Sequence, residues 1–234
     1  MLAKGNAKLG KSIWSFSIPA GDTCPGKSEI CSERCYAQRG FFVMPSVKAS
    51  QERNHESTLL GDFVERMTDE IRKNKCNVVR IHVAGDFYSA AYARKWLKII
   101  QACPDVTFFA YTRSWNVPAI FPAIEELAKC KNLRLWFSVD DEMGKPPNKP
   151  KGVRLAYMAI SINDIPNQNQ ADLVFRDYGI RGVPQKRVNG VIVCPPENGV
   201  TDLTCEKCGI CWQRTKPVPK QAADKRRVSL QLAA

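Results

Sequence analysis

Three thiols stand close together near the start of the chain. The stretch Cys24-Pro25-Gly26-Lys27-Ser28-Glu29-Ile30-Cys31-Ser32-Glu33-Arg34-Cys35 has the spacing C-x6-C-x3-C, and the next cysteine is Cys76. A zinc site that only holds structure usually closes with four ligands. Histidine could supply a fourth, but the chain has only His55 and His82, neither close in sequence. Three clustered sulfurs without an obvious fourth point to a metal or iron–sulfur centre with one position left open. Ordinary buried thiols, or a zinc site completed from far away, are the plainer readings. Thiols this dense around Pro-Gly and charged residues do not resemble core packing.

A second group lies near the other end, where Cys194-Pro195 is followed by Cys205, Cys208 and Cys211 as C-x2-C-x2-C. Tight spacing plus a remote Cys-Pro is the kind of ligand set used for a [4Fe–4S] cube. Three sulfurs in one short turn can reach three separate irons, and the fourth corner is met from elsewhere. A zinc ribbon wants two separate C-x2-C knuckles, and here Cys208 would belong to both. Zinc stays the alternative at this site. Cys76, Cys103 and Cys130 stand alone at element boundaries and read as structural.

Both groups need a scaffold, and hydrophobic periodicity predicts one. Ser12 to Ile18 alternates with the period of two expected of a strand, and Pro19 to Asp22 ends it just before the first thiol loop. Ser46 to about Asn74 has helical spacing. Val78–Val83 is a strand stopping at Ala84-Gly85-Asp86, and a helix follows from Ser89 to Pro104. Val106–Tyr111 is a strand ending at Thr112-Arg113, and Asn116 is the expected N-cap of the next helix, with Pro118 in its first turn. Leu133–Val139 ends at Asp140. The pattern then weakens: 141–152 is a Pro/Lys/Gly-rich loop, 155–160 and 191–193 are strands, and 173–175 is an ambiguous short one.

Repeated strand–helix–strand units of this length mean parallel strands with helical crossovers. In such sheets the residues at strand C-termini gather on one face, where ligands bind. That rim would carry Cys24, Cys31, Cys35, Gly85, Asp86, Arg113 and Asp140. The expected domains are 1–193, an α/β unit bearing the N-terminal thiol loop, and 194–215, a Cys-rich extension. A basic tail covers 216–234.

Composition bounds the partners. The chain of 234 residues has 44% hydrophobic and 25% charged residues, as a globular protein does. No apolar run approaches the ~20 residues needed to span a bilayer, so no membrane partner is expected and the setting is cytoplasmic. Clustered cysteines in a cytosolic chain read as metal sites rather than disulfides. A formal charge of +12, from 35 basic and 23 acidic residues, favours an anionic partner. The tail from Lys216 to Arg227 and the lysines at 4, 8 and 11 are candidate contacts for DNA or RNA. Oligomeric state is not legible.

Two resemblances follow from these residues. Lys8-Leu9 through Ile13-Trp14-Ser15-Phe16-Ser17-Ile18-Pro19-Ala20-Gly21, then Cys24-Pro25-Gly26, Cys31 and Cys35-Tyr36-Ala37, resembles the phage and plasmid family named after gene product 88. So does Val83-Ala84-Gly85-Asp86-Phe87 with Phe108 to Arg113 a helix later, and the likeness spans roughly Asn6 to Trp212. If phage-encoded, the protein would act in host cytoplasm. More distantly, the layout is similar to radical S-adenosylmethionine enzymes, which carry three cysteines after the first strand of a partial (β/α) barrel. That resemblance implies a TIM-barrel-like fold, a [4Fe–4S] cluster on Cys24, Cys31 and Cys35, and S-adenosylmethionine at its open iron. It puts Gly85 and Asp86 at the methionyl amine, Tyr36 near adenine, and an auxiliary cluster on Cys194, Cys205, Cys208 and Cys211. The pattern departs from that superfamily in two places: its usual spacing is C-x3-C-x2-C, and its acidic residue is Glu.

Two functions compete. One is a radical-type iron–sulfur enzyme acting on an anionic nucleotide, nucleic acid or amino-acid derivative, with Asp86, Arg113 and Asp140 as catalytic candidates. The other is a non-enzymatic nucleic-acid-binding module stapled by zinc or iron–sulfur centres, with Trp115 and Trp212 as stacking candidates. Converging carboxylates on the rim favour the enzyme. The chain has no phosphate loop of the G-x4-G-K-[ST] type, no H-E-x-x-H and no G-x-S-x-G.

Overall fold

The central strands carry apolar residues on both faces, and the result is a sheet whose two faces are covered by different parts of the chain. The computed structural model describes residues 1–164, 166, 171–180, 183–198 and 203–213. The strands are β1 (Ala3–Asn6), β2 (Gly10–Ser15), β3 (Val78–Ile81), β4 (Thr107–Thr112), β5 (Leu133–Val139), β6 (Arg154–Ala159), β7 (Leu173–Arg176), β8 (Arg187–Val188) and β9 (Val191–Val193). They form one nine-stranded sheet in the order β1-β2-β3-β4-β5-β6-β7-β9-β8. Every pairing from β2 through β7 to β9 is parallel, and the flanking β1–β2 and β8–β9 pairs are antiparallel. The sheet is open: β1 and β8 are its two edges. The fold is mixed α/β, as expected.

The helices are α1 (Glu29–Glu33), α2 (Pro45–Leu59), α3 (Phe63–Lys73), α4 (Ala90–Ala102), α5 (Phe121–Ala128) and α6 (Cys205–Cys208). One face of the sheet, with Val79, Ile81, Phe108, Ala110, Leu135 and Phe137, packs against Phe63, Met67, Trp96, Ile100 and Ile124 from α3, α4 and α5. The other face, with Ile13, Val78, Phe109, Trp136 and Leu173, packs against Leu9, Cys194 and Cys211. The Cys-rich segment therefore covers the sheet.

Several expectations need correction. The single helix over Ser46–Asn74 is two, because Leu60 turns out into an extended conformation and α3 restarts at Phe63. Asn116 lies in a 3-10 turn, and α5 begins at Phe121 after Ile120, with no side-chain cap. Edge strands β1 and β8 went unpredicted, since four and two residues carry too little periodicity to read. Ser89 is an N-cap, its side chain accepting from Tyr92 N at 3.2 Å. The basic tail at 216–234 lies outside the described residues. No helix among the described residues is long and apolar enough to cross a membrane.

His82 ends β3 with φ of 60°, in the left-handed region, which costs a residue with a Cβ about 1–2 kcal/mol. Its surroundings hold it there. The ring lies among Phe16, Phe87, Tyr92 and Trp96, and Nε2 shares a 2.8 Å hydrogen bond with the Tyr92 hydroxyl. Burial, helped by the charge of Arg80, pushes its pKa down to about 3. An unfolded histidine titrates near 6.5, so between these values the unfolded chain binds a proton that the folded chain refuses. Stability should then fall as pH drops, by about 1.4 kcal/mol per unit below roughly pH 6.5. Urea unfolding at pH 7.5 and pH 5 should show His82→Gln losing about 2 kcal/mol less than wild type over that interval. Equal losses in the two proteins would mean that His82 is protonated in the fold.

Candidate metal centres

Polar hydrogen bonds, not a buried face, hold the helix of the first thiol loop. Helix α1 carries Cys31 and has no buried residue. Its first turn is clasped by side chains. Ser28, the N-cap, accepts from Cys31 N at 2.9 Å, and Glu142 beyond β5 accepts from Glu29 N at 3.1 Å and Ile30 N at 3.0 Å. The free amides of a helix start need acceptors, and negative charge is favoured there. Ser28 Oγ donates in turn to Asp140 Oδ2 at 2.6 Å. Arg113 Nη1 donates to the same oxygen at 2.5 Å and to Ser28 Oγ at 3.3 Å. Arg113 is 7% and Asp140 1% exposed, so this is a buried ion pair.

The loop also lies hard against the strand ends. A Cβ on Gly26 would stand 2.1 Å from the Arg113 carbonyl oxygen, so only glycine lets the Cys-Pro-Gly turn approach β4 this closely. Gly85 has φ of +81°, and a Cβ there would meet Ile18 at 2.3 Å and Thr23 at 2.7 Å. Asp86 ties β3 to β4: Oδ1 accepts from Phe87 N and Oδ2 from Arg113 N, both at 2.7 Å. Burial raises its pKa, while hydrogen bonds from Thr112, Arg113, Phe87 and Ser114 oppose the rise. Tyr36 donates to Val83 O and meets Phe42 edge-on at 5.6 Å.

The residues expected on the rim are thus brought together, at the C-terminal ends of the adjacent parallel strands β2 to β5. Burial lifts the Cys24 thiol to about 12, with Asp86 adding to the rise. Cys31 is lifted by burial and lowered by Arg113, and each of these thiols also feels Cys35. Gly85 and Asp86 have backbone roles in this arrangement. Sequence reading missed Ser28 and Glu142. Ser28 stands three residues before Cys31, the spacing of an N-cap, but nothing local marks Glu142.

The second thiol group sits on the other face of the sheet. Cys205 N donates to Lys8 O at 2.8 Å and Glu206 N to Leu9 O at 3.0 Å, so α6 docks on the chain entering β2. Thr204 caps α6, and Gly209, with φ of 72°, ends it. Trp136 Nε1 and Arg154 Nη2 donate to Cys211 O at 3.0 and 3.4 Å, and Cys194 N donates to Val174 O at 2.8 Å. Burial lifts Cys194 well above its usual value and Cys211 to about 11, and Cys205 contributes to both rises. Cys205 and Cys208 are raised as well, chiefly by burial.

Among the described residues, no three His, Cys, Asp or Glu side chains are drawn to metal-ligand geometry, and all ten cysteines are free thiols. The donor sets nonetheless suit thiolate-loving metals, because each group is sulfur-only, and Cys24 and Cys31 in the first and Cys194, Cys208 and Cys211 in the second each feel a neighbouring thiol. Binding would release the thiol protons. The aromatic candidates for base stacking are packed. Trp115 is 6% exposed and stacks on Phe137, and Trp212 Nε1 donates to Cys205 O at 3.0 Å.

A family profile described as Gene product 88 matches residues 1–214. The chain is similar to the Gene 88 protein of Mycobacterium phage D29, 30% identical over 92% of this chain and 88% of that protein. It is 28% identical to the Gene 88 protein of Mycobacterium phage L5, over 88% of this chain and 85% of that one. No solved structure matches.

Removing one partner of a buried ion pair costs about 3–5 kcal/mol, because the other charge is left uncompensated. Asp140→Ala should lose that much stability in urea and also release α1, since Ser28 loses its acceptor. Iodoacetamide should then label Cys31 faster, as read by peptide mass spectrometry. A variant destabilised to this degree with unchanged Cys31 labelling would show that the clasp does not hold the loop.

Proposed function

This chain belongs to the gene product 88 family of phage proteins, and from that premise we propose that it is an iron–sulfur enzyme acting on an anionic substrate. The carrying observation is the convergence of Cys24, Cys31 and Cys35 with Asp86, Arg113 and Asp140 on one rim of parallel strand ends. In this reading the open sheet is part of a partial (β/α) barrel. Cys24, Cys31 and Cys35 hold a [4Fe–4S] cluster, and Cys194, Cys205, Cys208 and Cys211 hold a second, with zinc as the alternative metal there. A three-thiolate cluster supplies a low-potential electron and one open iron, which suits an amino-acid chelate such as S-adenosylmethionine.

The chain's own residues position that site. Arg113, Asp140 and Ser28 fix the start of α1, and with it Cys31. Asp86 fixes the β4 end, where Arg113 begins. Tyr36 anchors the segment after Cys35 to the end of β3. Lys27, Arg34 and Arg39 expose their side chains around this loop and would draw an anionic substrate to it.

A second reading, a nucleic-acid-binding module, draws on a different observation. Phe41 is 83% exposed beside Arg39, with exposed Met44 and Lys48 following, and aromatic faces among cations suit single-stranded bases. One preparation separates the two. Anaerobic protein reduced with dithionite and given S-adenosylmethionine should change its electron paramagnetic resonance signal and yield 5′-deoxyadenosine. Cys31→Ala should lose both, while Cys205→Ala keeps the first cluster's response. Salt-sensitive binding of a single-stranded oligonucleotide, with no spectral change and no cleavage in iron-loaded wild type, would replace the enzyme with the binding module.

A further inference from the structure

The sheet face that carries the second thiol group holds half-buried cations, and not all of them form an ion pair with a carboxylate among the described residues. Charged groups acting on these sulfurs include three cations, Lys8, Arg80 and Arg154, and one carboxylate, Glu197. Glu197 pairs with Lys8. No carboxylate forms an ion pair with Arg80 or Arg154 among the described residues, and Asp172 acts on Arg154 from beyond ion-pair distance. Arg80 shares the face of Val78 on β3. Its guanidinium stands 5.4 Å over the Tyr111 ring, and Nη2 reaches the Tyr36 hydroxyl at 3.5 Å. Its Nε is buried with no hydrogen-bond partner. Tyr111 packs against the cluster that holds Cys194 and Cys211. Arg154 lies 3.8 Å over Trp136, and both donate to Cys211 O.

A half-buried guanidinium with its Nε sealed from water and no anion paired to it is costly, and neutral thiols do not supply one. Four thiolates around a zinc ion or an oxidised [4Fe–4S] core carry a net charge of about −2. Arg80 and Arg154 would balance that charge. We propose that Arg80 is the counter-charge of a dianionic tetrathiolate centre on Cys194, Cys205, Cys208 and Cys211, and that Arg154 supports the same centre from the Cys211 side. This rests on the ligand set given under the proposed function, and it holds for zinc or iron. The cation favours the loaded state, slows loss of the metal, and in an iron cluster favours the reduced, more negative form.

The signature is a crossover in stability. Full-length wild type, Arg80→Met and Arg80→Lys are compared metal-free and loaded, with zinc in one arm and with iron and sulfide under anaerobic conditions in the other. Loaded Arg80→Met should melt below loaded wild type, while metal-free Arg80→Met melts above metal-free wild type because a half-buried charge with no carboxylate paired to it is gone. Arg80→Lys should follow wild type in both states. Metal release to a chelator should be about tenfold faster in Arg80→Met, and a tenfold preference between cluster oxidation states corresponds to about 59 mV in midpoint potential. If metal-free proteins show no transition, release rate and potential decide. Arg80→Met melting equally far below wild type in both states, or releasing metal at the wild-type rate, overturns the inference while leaving the ligand assignment intact. Wild type that loads neither zinc nor iron at the second group overturns both.

Discussion

The buried pair of Arg113 and Asp140 is the contact on which the first thiol group depends. Asp140 receives hydrogen bonds from Arg113 and from Ser28, and Ser28 in turn holds Cys31 N. A helix of five residues with no buried side chain has no hydrophobic reason to stay where it is, and alone it is far too short to be stable. Its position is set by charges that the ends of β4 and β5 present. Arg113 is itself placed by Asp86, which takes its backbone amide. Geometry at the thiols is thus inherited from the parallel register of β3, β4 and β5, strand by strand.

The second group depends on the same sheet in another way. Main-chain hydrogen bonds to Lys8 and Leu9, and indole and guanidinium donors to Cys211 O, dock the segment on the apolar face of β2 to β7. The ion pairs of the rim orient a loop. Beside Cys211, Arg80 and Arg154 form no ion pair with a carboxylate among the described residues. One sheet therefore presents two sulfur-rich sites, one at its C-terminal rim and one across its face, with Tyr36 and Arg80 lying between them.

Much of this arrangement was legible in the sequence. Apolar runs gave Leu133–Val139 and Val191–Val193 with the observed bounds, and residues after strand ends marked the rim because parallel strands must expose their C-termini together. The break at Leu60–Asp62 was not legible, since apolar spacing continues across it and only Gly61 hints at a turn. Nor was the clasp by Glu142, which depends on contact between residues over a hundred positions apart. Arg80 hid in an apolar strand, where a single charge reads as solvent-facing. The docking of the Cys-rich segment on the sheet was invisible for the same reason: periodicity shows that β4 and β5 are apolar on both faces, but not what covers each one.

Quantifying iron, acid-labile sulfide and zinc in anaerobically isolated protein tests the account most directly, provided Cys24/Cys31/Cys35→Ala is measured alongside. The account predicts about eight irons and eight sulfides per wild-type chain, falling by about half in the triple variant. If zinc fills the second group, about four irons and one zinc are expected, with iron alone lost in the variant. Iron-replete wild type with no sulfide, or iron that survives removal of all three thiols undiminished, would contradict it.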